Sequence, residues 1–151
     1  PSNPLRGNGA VQVAPFIYAG HPTGLMKQKE LESGSRNVEA LYLSQDIGEL
    51  FTNAVKQELT FSGYQVQLGE DRIVSGTVEQ FFLDYVGEVE QRFEIRVTFN
   101  VNRTDAAVFA SACRSDLRRS MDWMKSDVLI TRGIKDCIEQ FMNSARAAGV
   151  L

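Results

Sequence analysis

The chain has 151 residues, of which 43% are hydrophobic and 23% charged, and its net charge is −3. These values fit one globular domain with a single core. The near-balanced charge supplies no global field that would gather nucleic acid, and no apolar run approaches the roughly 20 residues needed to cross a bilayer.

The sequence opens on Pro1, with no basic segment leading into an apolar one, and so shows no signal peptide. It reads as a mature or trimmed segment, with any export signal or lipid anchor expected upstream. Pro1–Gly9 (PSNPLRGNG) has the composition of a flexible leader, and residues 10–151 read as a single domain. Ala10–Ala19 (AVQVAPFIYA) predicts a first strand, in which Pro15 implies an edge position or a bulge. From Gly20 to about Glu39 no period holds, and no regular element is expected. Ala40–Ser62 contains the first helix. Ile47, Leu50, Phe51, Ala54, Val55 and Leu59 recur at helical spacing. Ser44 is the expected N-cap, with Asp46 in the first turn, and Gly63 the expected left-handed stop.

Tyr64–Leu68 alternates as a short strand. Arg72–Val86 is a long one whose facing changes parity: Val74, Gly76 and Val78, then Phe81, Leu83 and Tyr85. One extra residue near Gln80 reconciles the halves as a bulge, and Gly76 offers room for a helix to pack closely. In Phe93–Val101 every second residue is apolar and those between are polar, the mark of a strand with one buried and one wet face. Ala106 to about Ser115 is a further strand of ambiguous facing, which closes a three-strand meander. Ser126 or Asp127 caps a last helix, with Ile130, Ile134, Cys137, Ile138, Phe141 and Ala145 as its stripe and Gly149 as its end. The fold class is therefore α+β. It is a two-layer sandwich, with a mainly antiparallel sheet of about four to five strands, two helices on one face, and the order β-α-β-β-β-β-α.

Chemistry is sparse. His21 is the one histidine and sits in a Gly/Pro-rich stretch. There is no nucleophile elbow, phosphate-binding loop or dinucleotide fingerprint. Asp84, Glu88 and Glu90 cluster at a hairpin, where a solvated tip is the simpler reading than paired carboxylate catalysis. Cys113 and Cys137 are either two small buried side chains or one disulfide tying the late sheet to the last helix. The disulfide would need an oxidising compartment. No metal or cofactor site is expected. Arg114, Arg118, Arg119 and Lys125 stand around Met121, Trp123 and Met124. Such a patch can touch a partner protein or anionic lipid. Equally, Trp123 can fold under the last helix and leave the arginines wet. Glu94, Arg96, Thr98, Asn100 and Asn102 form a polar row on the outer sheet face, either bare or docking another subunit.

The segments SQDIGELFTNAVKQELTFSGYQV, VSGTVEQFFLDYV and FEIRVTFNVNR carry a pattern. A helix running into SGY leads to a V-x-G-x-V strand, a meander and a closing helix. Over about Val11–Ala148 this resembles the YajG-like envelope lipoproteins of Gram-negative bacteria and, more distantly, the outer-membrane lipopolysaccharide-assembly lipoprotein. The resemblance implies a non-enzymatic binding or assembly domain on the periplasmic side of the outer membrane. It would be tethered through a lipidated Cys ahead of the leader, with an unidentified envelope protein or lipid as partner. No lipobox Cys is present in the chain itself, and no family binding residues carry over. Two further readings stand beside it: a small enzyme with carboxylates or His21 between sheet and helices, and a homo-oligomer formed through the open sheet face.

Overall fold

The computed structural model describes residues 9–19, 30–33, 41–42, 46–86, 90–103, 106–120 and 126–151; for 30–33, 41–42, 83–86, 90–91, 106–107, 119–120 and 126–127 it describes the backbone alone. In chain order the elements are β1 (Ala10–Val13), β2 (Ile17–Tyr18), β3 (Glu30–Ser33), β4 (Leu41–Tyr42), α1 (Ile47–Phe61), β5 (Gln65–Val66), β6 (Ile73–Val86), β7 (Glu90–Arg103), β8 (Ala106–Ser120) and α2 (Ser126–Ala147). Among the described residues, eight strands form one mixed sheet.

The three long strands β6, β7 and β8 are the antiparallel meander. On its far side β6 is met end to end by three short parallel segments: β1 at Ile73–Val74, β2 at Thr77–Val78 and β3 at Phe82–Leu83. β5 and β4 then pair outside β1 and β3. Eight strands therefore occupy five ranks. The α+β sandwich is as the sequence implies, with a sheet more divided than expected.

Pro15 is where the first strand divides. Ala14 donates to the Val74 carbonyl at 2.9 Å and Ala19 to the Val78 carbonyl at 2.9 Å, which keeps both halves on β6. Between them the Phe16 N–H leaves the ladder and donates instead to Thr52 Oγ1 of α1 at 2.8 Å. A Cβ on Gly48 would stand 2.6 Å from the Phe16 carbonyl oxygen, so a bare backbone lets α1 lie against this break. Gly76 serves the same purpose within the sheet. It accommodates the Phe16 ring, whose edge would lie 2.6 Å from an added Cβ, and not a helix as the sequence suggested.

Both helices cover the same face. Phe99 of β7 stacks on Phe141 of α2 with centroids 4.3 Å apart and meets Phe51 of α1 at 5.7 Å. The stripes expected of the two helices are the buried ones: Ile47, Phe51, Val55 and Leu59 in α1, and Ile130, Ile134, Cys137, Ile138, Phe141 and Ala145 in α2. Leu50 and Ala54 are partly buried against the same core. Gly63 (φ 92) ends α1 in the left-handed region, and Gly149 (φ 75) follows α2.

Four expectations need correction. The cap of α1 is Asp46, whose Oδ1 accepts from the Glu49 N–H at 2.9 Å; Ser44 lies outside the described residues. The stretch from Gly20 to Glu39, read as irregular, contains β3. Its sequence ELES has no apolar alternation to announce it. The strand expected over Tyr64–Leu68 is ladder-paired only at Gln65–Val66, and Leu68 is exposed. The last strand continues beyond Ser115 to Ser120, because the β7 ladder runs on to Glu90↔Ser120.

Candidate interaction surface on the open sheet face

The register of β6 shifts between Val78 and Gln80, so Glu79 is the extra residue and Phe81 returns to the core. The Glu79 carboxylate accepts from Thr98 Oγ1 at 2.6 Å on the face away from the helices. β8 resolves its own ambiguity with a similar device. Asn102 pairs with Ala107 but Val101 with Phe109, leaving Val108 as the extra residue. Beyond it Cys113 and Ser115 are buried, while Ala110, Ala112, Arg114, Asp116 and Arg118 face outward.

The outward residues of β7 and β8 meet in rows. Arg92 stands directly opposite Arg118, Glu94 opposite Asp116, and Arg96 opposite Arg114. Like charges directly opposite on a sheet are destabilising by themselves. The Glu94–Asp116 row offsets this repulsion, since it pairs with Arg92 on one side and with Arg114 on the other. Arg92 forks onto Asp116, with Nε to Oδ1 at 2.9 Å and Nη2 to Oδ2 at 2.7 Å. Its Nη2 also lies 2.8 Å from Glu94 Oε1, and Arg114 Nη2 lies 3.7 Å from Glu94 Oε2. The Arg92 hydrogen bond holds the Asp116 carboxyl below its ordinary value against the opposing effect of burial, with the charges of Arg92, Arg118 and Arg114 adding to the depression. Towards the other end the face is flat: Ala112 neighbours Thr98, and Ala110 neighbours Asn100.

Of the residues singled out in the sequence, Arg118 lies on β8 and is exposed within this lattice. Arg119 is also on β8, paired with Gln91, with its backbone alone described. Met121, Trp123, Met124 and Lys125 lie outside the described residues, as do His21 and Glu88. Asp84 and Glu90 sit at the facing ends of β6 and β7, described by backbone alone. Cys113 and Cys137 are joined as a disulfide between β8 and α2, with Cα atoms 5.4 Å apart. Next to it Ser115 Oγ donates to Asp136 Oδ2 at 2.7 Å. The pairing of Arg96 with Arg114 and of Glu94 with Asp116 was not visible in the sequence, since cross-strand register depends on the Val108 bulge. The trace it leaves there is Arg114, Asp116 and Arg118 at alternate positions.

Concave space lies elsewhere. A groove of about 530 Å³ runs over the outer surfaces of α1 and α2, bordered by Glu58, Lys135, Glu139 and Arg146 and by Phe61, which is 84% exposed. Among the described residues no group of three or more His, Cys, Asp or Glu is placed to hold a metal ion. No described helix is long and apolar enough to cross a membrane.

Neither a protein-family model nor a curated protein matches the sequence. Solved structures do match the fold. A Xanthomonas campestris protein of family DUF330 superposes with a TM-score of 0.63 at 12% identity, covering 99% of this chain and 91% of its own. Rare lipoprotein B from Shewanella oneidensis gives 0.51 at 11% identity, covering 80% of this chain and 95% of its own. This is a fold that bacterial lipoproteins share. PelC from Paraburkholderia phytofirmans, solved as a dodecamer, has it too, with a TM-score of 0.54 at 13% identity and coverage of 89% and 86%. At these identities the likeness is one of fold.

Proposed function

We propose that this chain is a non-enzymatic binding or assembly module of a Gram-negative cell envelope, related to the YajG-like lipoproteins. In this reading it is held by a lipid anchor on the periplasmic side of the outer membrane and engages an envelope protein or lipid. The observation that carries it is the division of labour between the two sheet faces. The helix-covered side is filled by apolar side chains such as Phe16, Phe51, Phe81, Phe93, Phe99 and Phe141, all buried. The other side is uncovered by any described helix and bears an organised ion-pair lattice beside a flat strip of alanines. A catalytic pocket between sheet and helices finds little to line it, because the buried polar groups among the described residues are few: the side chains of Thr52, Ser62 and Ser115, the Tyr18 hydroxyl and Arg146 Nη2. The disulfide suits an oxidising compartment. Mixed charge on the open face, with a chain of net charge −3, does not favour nucleic acid.

The test is the full-length precursor expressed with its natural leader in a Gram-negative host. Palmitate labelling and outer-membrane fractionation check the anchor; an unlabelled cytoplasmic product would remove the envelope assignment. A photocrosslinking residue at Ala112, on the open face, should capture a neighbour, whereas one at Arg132, exposed on α2, should not. The reverse pattern would move the working surface to the helices. A second reading, assembly with copies of itself, draws support from the PelC dodecamer.

A further inference from the structure

The leader Pro1–Gly9 joins the domain at one corner of the sandwich. β1, β5 and β6 run parallel and begin there together, with Ala10 beside Gln65 and Gln12 beside Ile73. Gly9 is held in place. Its carbonyl accepts from the Gln65 N–H at 2.9 Å, and a Cβ on it would stand 2.7 Å from Arg72 Nη2. Both helices end beside it. The Tyr64 N–H donates to the Leu59 carbonyl at 3.0 Å, so α1 finishes directly ahead of β5, and the Val150 carbonyl beyond α2 accepts from Arg72 Nη1 at 3.3 Å. Five large apolar side chains are exposed among the described residues, and the two most exposed flank β5. Phe61, 84% exposed, is the last residue of α1; Leu68, 85% exposed, follows Val66 by two. They stand on opposite sides of the sheet. Phe61 belongs to the helix layer. Residues 67–72 carry the chain past β1 from β5 to β6, and the Gly69 N–H donates to Gln12 Oε1 at 2.9 Å. Gln12 alternates with the buried Val11 and Val13, so its side chain and the turn it holds lie on the open face. Two nearly bare apolar side chains thus bracket the root of the leader.

We infer that this corner rests on the bilayer that holds the lipid anchor, with Phe61 and Leu68 entering the boundary between headgroups and acyl chains. The inference rests on the anchored-envelope reading above. An anchor ahead of the leader makes contact at its root an intramolecular event. Two side chains then suffice, where an untethered domain would need a larger apolar face. Charge decides the kind of surface. Along the chain, Lys56 and Arg72 stand against Glu58, Glu70 and Asp71 near the two side chains. The groove beside Phe61 adds Lys135 and Arg146 against Glu139. The signs cancel, so nothing here selects anionic headgroups, and the occupant is a zwitterionic bilayer surface. The exposed Arg118 lies far off. β8 begins at this end, since Asn102 of β7 pairs with Ile73 and Arg103 with Ala106. Arg118 is twelve residues further along β8, about 40 Å away. A bilayer that touches side chains on both sides of the sheet meets the sheet edge-on. The open face then rises from the membrane and stays accessible to a protein partner.

The test holds the 151-residue chain by an N-terminal hexahistidine on a nickel-chelating lipid, in vesicles of phosphatidylcholine and phosphatidylethanolamine. An environment-sensitive dye is attached in turn to Thr60→Cys and Gln67→Cys, exposed neighbours of the two side chains, and to Arg132→Cys, exposed on α2. The disulfide leaves no other free thiol. Emission at positions 60 and 67 should move to the blue and be quenched several-fold by brominated acyl chains, and at 132 neither should change. Raising salt from about 50 mM to about 500 mM should leave these signals as they are, because apolar insertion is not screened. Phe61→Ser with Leu68→Ser removes no buried contact, so the variant should fold and the signals should vanish. Silence at 60 and 67, an equal response at 132, or a signal that survives the serine pair would overturn the inference. So would a signal that needs phosphatidylglycerol and is lost in salt, or a blue shift already present without vesicles, which would mark a protein or a second copy as the occupant. The chelating lipid supplies the tether, so the two readings fail separately. An acylated precursor whose corner stays silent keeps the proposed function and loses this contact. A precursor that is never acylated, with signals at 60 and 67, loses the envelope reading and keeps a corner that enters bilayers.

Discussion

Thr52 shows how much a single side chain settles. Its hydroxyl donates to the Gly48 carbonyl at 2.7 Å and accepts the Phe16 N–H at 2.8 Å, and the residue is buried. Pro15 has already taken the chain off the ladder, so Phe16 has no strand partner in place of Thr52. Thr52→Val keeps the volume and leaves that N–H unpaired. Urea denaturation should show a loss of about 1–3 kcal/mol; a change below about 0.5 kcal/mol would mean the hydroxyl is not what anchors α1. Asp116 acts at the surface, and its pKa is depressed. The stability it lends is therefore complete above the ordinary carboxylate range, and is lost as pH falls through its lowered folded value. The stability difference between wild type and Asp116→Asn should be constant from pH 5 to 8 and shrink below about pH 4. A difference that grows on acidification would contradict the ion pair.

Among the elements, α2 is placed by an absence of bulk. A Cβ on Gly133 would fall 2.6 Å from the ring of Phe93, which is fully buried. Alanine ordinarily favours a helix by about 1 kcal/mol over glycine. Here that gain is opposed by lifting the helix off β7 or turning a packed ring, and overpacking costs about 1–3 kcal/mol. Thermal melting of Gly133→Ala should show net destabilisation; a raised midpoint would show that the helix can shift freely. The elements also separate what the sequence displays from what it hides. α1, β7 and α2 repeat their own periods over many residues, so Phe51, Phe99 and Phe141 could be placed in the core without knowing what they touch. β3 owes its strand geometry to β6 beside it, and nothing within Glu30–Ser33 carries that information. The end of β8 is similar. Leu117–Ser120 reads as a polar segment, yet β7 extends it.

For the whole molecule, the disulfide joins the outermost long strand to the last helix across a sequence separation of 24. A loop of that length corresponds to about 3 kcal/mol of chain-entropy stabilisation. Replacing both cysteines with alanine should lower stability by that order, and reductant should lower the wild type similarly while leaving the variant unchanged. Free thiols in protein taken from its native compartment would contradict both the bond and the compartment it implies. Layer order and the shared helix face were legible because each amphipathic element must bury one side. The charged rows were not. They depend on which residue of β8 stands beside which residue of β7, and the single-residue bulge at Val108 decides that.

The bulge at Glu79 has a consequence for how this chain tolerates change in its length. Val78 pairs with Val97 and Gln80 with Arg96, so Glu79 sits as slack in an otherwise regular count. Excising it would straighten β6 and leave Phe81 pointing inward. Excising Val74 or Thr77 instead would put neighbouring side chains on the wrong side of the pleat until the kink migrated to compensate. Position 79 is thus where a one-codon loss should be mildest in this strand, at the expense of the bend and of the carboxylate that Thr98 holds.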